Sequence, residues 1–414
     1  MFPKSAIGLV RQVTAKRHCS VVAVLRFLYP RHLIPVQKYK PGLAELSKTR
    51  YNNKKHKCMG ESCKMKRIAV LTSGGDAPGM NAAVRAVVRT AVANGMSVVG
   101  FKRGYNGMLM RSLTSTDDFI EMNARSVSGI IHKGGTDLMT ARCTEFMRED
   151  IQKQAVRNAR ALGIEGIVCI GGNGTFAGAS ALNRLGLPAI GVPATIDNDL
   201  CYTEYTIGFD TALNTAVEAV NRIRDTGDAH ERVSIVTVMG RDCGDLAVHT
   251  ALACGAEAAI VPEVKWDIDV LGETVHKGVI SGKRSMILIF AEGAQKSLAN
   301  DVKELKTRFP KLHINDDRLS SSQFAEIIEE ISGHETRATV LGYTQRGGSP
   351  TANDRILATR TGSYAVKLLL NGKGGRAVGI MGNRIQDVPI DNAMDGTTFD
   401  DEFYDLVGVT GFIK

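Results

Sequence analysis

The sequence has no apolar run long enough to cross a membrane as a helix. Such a span needs about 18 apolar residues in succession, and the best early candidate, Ser20 to Leu25, is cut off by Arg26. It also has no cysteine framework. Three of the eight cysteines, Cys19, Cys58 and Cys63, lie near the N-terminus, and the other five are scattered, Cys169 inside the apolar stretch Ile167–Ile170. No pair has zinc-ligand spacing, and the pattern suits reduced thiols in a cytosolic protein. Acid is scarce in one place only. Residues 1–64 hold 14 Lys/Arg against two acids, Glu45 and Glu61, whereas residues 65–414 hold 38 bases and 41 acids. The net charge of +9 therefore describes the first segment and not the body. A nucleic-acid-binding protein would need a basic face on the folded body, so that class is disfavoured.

What is present begins at Met65. It stands directly before Lys66-Arg67-Ile68-Ala69-Val70-Leu71, the start of a strongly patterned strand. Gly60-Glu61 would be encoded by a purine-rich stretch suited to ribosome binding, three codons upstream. The reading is that Met65 is the true start and that residues 1–64 are a non-conforming basic extension upstream of it. A targeting peptide and a genuine extension are the alternatives.

After Met65, apolar strand-like runs alternate with helical segments. Ile68–Thr72, Val98–Phe101, Gly166–Ile170, Ala189–Val192, Val233–Val238, Ala258–Val261 and Met286–Phe290 read as buried strands, and Ala82–Asn94 and Ile151–Leu162 as helices. Alternation of this kind predicts mostly parallel sheets with helices on both faces. Ligands in such folds bind beyond the carboxyl ends of the strands. Two strand–Gly-Gly–helix units, 68–94 and 166–185, follow the same logic. Gln295–Ser332 is polar and charged and reads as a surface insertion.

Four features carry chemistry. Thr72-Ser73-Gly74-Gly75-Asp76-Ala77-Pro78-Gly79-Met80-Asn81 follows a strand and opens a helix. Glycines admit a ligand close to the backbone, and the helix start offers free N–H groups to phosphate. No Gly-Lys-Ser/Thr follows, so it is not a P-loop. Gly171-Gly172-Asn173-Gly174-Thr175 repeats the arrangement. Thr195-Ile196-Asp197-Asn198-Asp199 places acids and an amide after a third strand, where they could serve a substrate hydroxyl and a metal ion, the parts that phosphoryl transfer needs; an Asx-turn network is the structural alternative. Arg142, Arg232, Arg241, Arg337 and Arg346 supply guanidinium forks that match phosphate oxygens.

In this order the motifs resemble the phosphofructokinase family, bacterial ATP-dependent type. Met239-Gly240-Arg241, Glu335 to Gly342 and Gln345-Arg346-Gly347-Gly348-Ser349-Pro350 extend the resemblance from Met65 to about Tyr404. It implies two Rossmann-like three-layer α/β/α domains with the active site in the cleft between them: 65–208 plus 345–395 for the nucleotide, and 209–344 plus 396–414 for the sugar phosphate, with an insertion at about 295–332. It implies phosphorylation of fructose 6-phosphate by ATP with Mg²⁺, in the cytoplasm. Asp197 would be the base, with Thr195, Arg142 and Arg241 in the catalytic set. Gly75, Tyr105, Arg142, Cys143, Gly172, Asn173, Gly174 and Thr175 would bind the nucleotide, and Asn173 and Asp199 the metal. Thr195, Asp197, Asp199, Met239, Gly240, Arg241, Glu292, Tyr343 and Arg346 would hold the sugar phosphate. Arg232 and Arg337 would reach that of a neighbouring subunit, which implies a homo-oligomer, in this family usually a tetramer. Arg85, Arg89, Arg125, Arg224, Glu257 and Lys283 would form an effector site for ADP or phosphoenolpyruvate. No nucleic acid or membrane partner is implied.

The sequence also departs from the family pattern. Asn173 replaces a usual aspartate, Tyr343 a histidine and Ala194 a glycine, and Ser281 interrupts the effector cluster. Asn173 leaves a catalytically weak regulatory subunit as one alternative. A pyrophosphate donor is the other; pyrophosphate-using relatives tend to carry an acid at 174 and a lysine at 194, and Gly174 with Ala194 favours ATP.

Overall fold

The computed structural model describes residues 65–414 apart from 111, 115, 313, 315–318, 395–398 and 412–414. The readings that concern residues 1–64 lie outside the described residues.

The run Ile68–Leu71 has four fully buried apolar residues in succession, the mark of a strand covered on both faces. It forms β1 (Arg67–Thr72). Then come α1 (Met80–Ala93), β2 (Ser97–Phe101), the short α2 (Tyr105–Met108), β3 (Phe119–Met122), α3 (Glu149–Ala161), β4 (Gly166–Gly171), α4 (Asn173–Arg184) and β5 (Ala189–Thr195). The two-residue β6 (Ile207–Gly208) leads into α5 (Phe209–His230), β7 (Val233–Val238), α6 (Asp245–Cys254), β8 (Ala258–Ile260), α7 (Ile268–Ile280) and β9 (Met286–Ala291). The remainder is α8 (Val302–Arg308), α9 (Ser321–Ser332), β10 (Thr336–Val340), α10 (Ala352–Leu370), β11 (Arg376–Met381), β12 (Arg384–Pro389) and α11 (Asp401–Gly411).

Two sheets result. The larger runs β12-β11-β5-β4-β1-β2-β3, with β6 continuing beside the end of β5. Its interior pairs are parallel, with Val70 opposite both Gly100 and Val168, and both outer pairs are antiparallel. The smaller sheet, β10-β7-β9-β8, is parallel throughout. Period-2 alternation divides the larger sheet between two helical layers. Ile68, Val70, Val168 and Ile170 pack with α1 on one side, and Ala69, Leu71, Ile167 and Cys169 with α3 and α4 on the other. The expected α/β/α architecture is therefore present.

One sequence expectation needs correction. In Gln295–Ser332, α9 buries Phe324, Ala325, Ile327 and Ile328, and Phe324 meets the rings of Trp266 and Phe290. Its apolar spacing makes it a layer of the smaller sheet, not a surface element, and Phe324, Ile327 and Ile328 each contribute about 1.5–3 kcal/mol by burial. The polar character that suggested a surface comes from its other face and from the preceding segment.

Candidate active site

The carboxyl ends of β1, β4 and β5 are neighbours because those strands are adjacent and parallel. The three polar loops that follow them therefore meet. Ser73 N–H donates to Ile170 O, and the Thr175 hydroxyl to Ser73 O, so the two glycine loops are bonded to each other. Helix α4 starts at Asn173 with Gly172 as its N-cap and no side-chain cap. Its first N–H groups are left for a ligand, and its dipole favours an anion.

A cavity of about 560 Å³ opens here, within the usual range for small-molecule sites. Gly75, Tyr105, Arg142, Cys143, Gly172, Asn173, Gly174, Thr175, Thr195, Asp197, Asp199, Arg241 and Arg346 line it. The sequence reading had singled out all of these. It missed Phe146, Met147, Gln152 and Arg184, which also line the wall. The one available signal was the small face Ala177-Gly178-Ala181 at helical spacing. Tyr105 is a wall residue pinned in place, its hydroxyl donating to Thr175 O at 2.5 Å and its ring stacked on Phe146 at 4.2 Å.

Asp197 is 5% exposed, and its Oδ1 has no hydrogen-bond partner. Burial pushes its carboxyl above the ordinary aspartate range, while the guanidinium groups of Arg346 and Arg241 pull it back. The Arg346 guanidinium lies 4.0 Å from Asp197 Oδ1 and donates to Asp76 O at 3.0 Å. It also packs on Gly75, where a Cβ would come within 2.8 Å of it. Arg346 thus sits between the first glycine loop and Asp197. Asp199 is pushed upward by burial and then by the Asp197 charge. Asn173 Nδ2 donates to Asp199 Oδ2 at 2.9 Å, which leaves Asn173 Oδ1 and Asp199 Oδ1 buried and unpartnered.

Those free oxygens fit a hard cation. Mg²⁺ takes oxygen ligands and is commonly held by one or two carboxylates plus substrate phosphates. Among the described residues no cluster of three or more His, Cys, Asp or Glu could hold a metal, so a cation here would need oxygens from a ligand as well.

The other predicted site residues fall in two further places. Met239, Gly240 and Arg241 follow β7, and Glu292 follows the adjacent β9. Arg241 N–H donates to Glu292 Oε1 at 2.8 Å, and Arg241 takes a positive φ of 56°. Arg232 pairs with Glu335 at 2.8 Å, and Arg337 with Glu335 at 2.5 Å; Tyr343 is 83% exposed. None of these three lines the cavity. Of the proposed effector residues, Lys283 pairs with Glu257 at 3.1 Å, and Arg224 donates to the nearby Cys254 O. Arg85 and Arg89 lie on α1, Arg85 half-buried and Arg89 exposed, and Arg125 is exposed before Val127.

Residues 67–369 match the family profile Phosphofructokinase. The chain belongs to the phosphofructokinase family. A phosphofructokinase of Clostridium tetani, named ATP-dependent 6-phosphofructokinase, is 51% identical over 83% of this chain and 98% of its own. ATP-dependent 6-phosphofructokinase 1 of Clostridium perfringens is 49% identical with the same coverage. Among solved structures, Saccharomyces cerevisiae phosphofructokinase superposes with a TM-score of 0.68 and 34% identity, over 80% of this chain and 45% of the yeast chain. A pyrophosphate-dependent phosphofructokinase of Marinobacter aquaeolei reaches a TM-score of 0.65 at 21% identity, covering 83% of this chain and 91% of its own; that likeness concerns the fold alone.

Proposed function

We propose that this phosphofructokinase transfers the γ-phosphoryl group of ATP to the 1-hydroxyl of fructose 6-phosphate, giving fructose 1,6-bisphosphate and ADP. The observation that carries the reading is Asp197, a buried carboxylate with a free oxygen, sharing one cavity with two glycine loops and flanked by guanidinium groups. Family membership and the ATP-dependent relatives support the same donor and acceptor.

Asp197 takes the hydroxyl proton as the sugar oxygen forms its bond to phosphorus and the bond to the ADP oxygen breaks. A carboxylate raised above its ordinary range is a better base at neutral pH. Thr195 Oγ1 accepts the Asp197 N–H at 3.2 Å and so helps to fix the base. Arg142, Arg241 and Arg346 set positive charge around the transferring group, the electrostatic part of phosphoryl transfer. The free amides at the start of α4 and the Gly74-Gly75 backbone would take the nucleotide phosphates. Asn173 and Asp199 would hold Mg²⁺, which when bound neutralises phosphate charge. A Cβ at Gly174 would meet nothing within 4 Å, which leaves room for a donor larger than pyrophosphate.

Met239, Gly240, Arg241 and Glu292 would bind the sugar phosphate. Arg232, Arg337 and the exposed Tyr343 would complete the site of a neighbouring subunit in a cytoplasmic homo-oligomer, with a tetramer as the expected form. ADP or phosphoenolpyruvate would bind at Arg224, Glu257 and Lys283, with Arg85, Arg89 and Arg125 contributed elsewhere on the assembly. The distribution of strands supports the proposed domain division: the larger sheet draws only on 67–208 and 376–389, the smaller only on 233–340.

The test compares ATP with pyrophosphate as donor to fructose 6-phosphate, with and without ADP and phosphoenolpyruvate. Turnover with ATP is expected. Turnover with pyrophosphate alone would overturn the donor, and intact sugar-phosphate binding without turnover would favour a regulatory subunit.

A further inference from the structure

Asn198 lies between the proposed base and the proposed metal residue, yet it does not line the cavity. It takes a positive φ of 51°, a conformation that asparagine tolerates better than most residues. Its buried side chain holds the turn from both ends. Oδ1 accepts from Thr206 N–H at 2.9 Å and from the Thr206 hydroxyl at 3.2 Å. Nδ2 donates to Glu204 O at 3.2 Å and to Asp245 Oδ2 at 2.7 Å.

Asp245 belongs to a different part of the molecule. It is the first residue of α6, four positions after Arg241, and is 5% exposed. Its other oxygen lies 3.2 Å from His249 Nδ1. The Asn198–Asp245 bond therefore joins the loop after β5 of the larger sheet to the segment after β7 of the smaller one. It is short, and a carboxylate acceptor makes it stronger than a neutral pair. A second bond, Met239 N–H to Gln345 Oε1 at 3.3 Å, ties the same β7 segment to the residue before Arg346.

We propose that Asp245 is a positioning residue for phosphoryl transfer. Through Asn198 it fixes the direction of Asp197 and Asp199 relative to Arg241. The proposal rests on the reading of Asp197 as the base. Neither Asp245 nor Asn198 touches the cavity, so the pair sets geometry and makes no contact with substrate. A misplacement of about 1 Å in such a site can cost about 10²-fold in rate.

The experiment measures initial rates of the full chain over ranges of ATP and fructose 6-phosphate, with Mg²⁺, for four variants: Asp245→Leu, Asp245→Asn, Asn198→Gly and the double variant Asn198→Gly/Asp245→Leu. Glycine accepts the positive φ, so Asn198→Gly removes the side-chain bonds without backbone strain. Asp245→Leu and Asn198→Gly are each expected to lower kcat by about 10- to 100-fold, with both KM values within about twofold of the parent. Asp245→Asn keeps an amide oxygen as acceptor and is expected to recover most of kcat. The double variant is expected to be no slower than the slower single one, since both remove the Asn198–Asp245 bond. If Asp245→Leu does not fold, Asn198→Gly and Asp245→Asn carry the comparison. An unchanged kcat in folded Asn198→Gly, losses that multiply in the double variant, or a rise in KM alone would overturn the proposal. A parent with no turnover would overturn the proposed function and this inference together, whereas an active parent with multiplicative losses would overturn this inference only.

Discussion

Exchanging Asn173 for aspartate turns a hydrogen bond into a charge conflict. In the native site Asn173 Nδ2 donates to Asp199 Oδ2 at 2.9 Å. Asn173→Asp removes the donor and sets two carboxylates about that far apart. Two like charges at 4 Å repel by about 4 kcal/mol at an effective dielectric of 20. Both residues are partly exposed, so solvent screening reduces this to roughly 2 kcal/mol. A bound divalent cation would convert the repulsion into chelation. The variant is expected to melt at least ~2 °C below the parent in EDTA and to gain more from millimolar Mg²⁺ than the parent does. The deficit in EDTA should shrink as pH falls toward 5, where the pair can share a proton. The assay is thermal melting of both proteins across Mg²⁺ and pH, independent of turnover, with the Mg²⁺ dependence of the rate as a second readout. Equal melting in EDTA and an equal response to Mg²⁺ would refute the reasoning, because the two side chains would then not face each other.

Asp197→Ser is expected to lower kcat by at least ~10²-fold with little change in fructose 6-phosphate KM; an unchanged kcat removes Asp197 from the role of base. Arg346→Gln withdraws a cation that opposes the upward push of burial on Asp197. The carboxyl of Asp197 then rises further, and the acid limb of the kcat–pH profile moves to higher pH; a fixed or lowered limb contradicts the 4.0 Å pairing. Gly178→Ala would normally gain up to ~1 kcal/mol in a helix. Here the new Cβ would fall 2.5 Å from a Tyr105 ring that Phe146 and Thr175 hold in place. A loss of about 1–3 kcal/mol is expected together with a higher ATP KM, and a variant more stable than the parent would show that the ring is free to move.

The buried half of this architecture was legible because central parallel strands must be apolar on both faces. β1, β4, β5, β7 and β9 all read as uninterrupted runs, and the polar loops that follow them had no other explanation in a doubly covered sheet. Three of the strands that escaped, β3, β10 and β12, lie at sheet edges. β10 leaves Arg337, Thr339 and Val340 exposed, and β12 is half-covered with Gln386 and Asp387 in its middle, so neither carries an apolar signal. Most residues facing the cavity were found through loops that hold them close in sequence, whereas Tyr105 and Cys143 came only from the family resemblance. Asp245 and Phe146 could not be found in that way, since what matters about each is a partner 47 or 41 positions away. Arg346 was assigned a phosphate-binding part from its glycine-rich setting, but its packing on Gly75 depends on how the two sheets meet.

The larger sheet is interrupted in sequence: β5 ends at Thr195, and its neighbour β11 starts only at Arg376. During synthesis at ~5–20 residues per second, the open flank of β5 waits roughly 10–35 s for its partner. All four strands of the smaller sheet are made in that interval. The first five strands of the larger sheet, β1 to β5, are made before that interval, so the larger sheet starts first and closes last, with the β11–β12 hairpin. A released chain truncated after Leu341 would then leave the flank of β5 unpaired and more open to proteolysis than in the full chain; equal protection would reject that order. The sheet that carries the two glycine loops would thus be finished only after the smaller sheet has been synthesised.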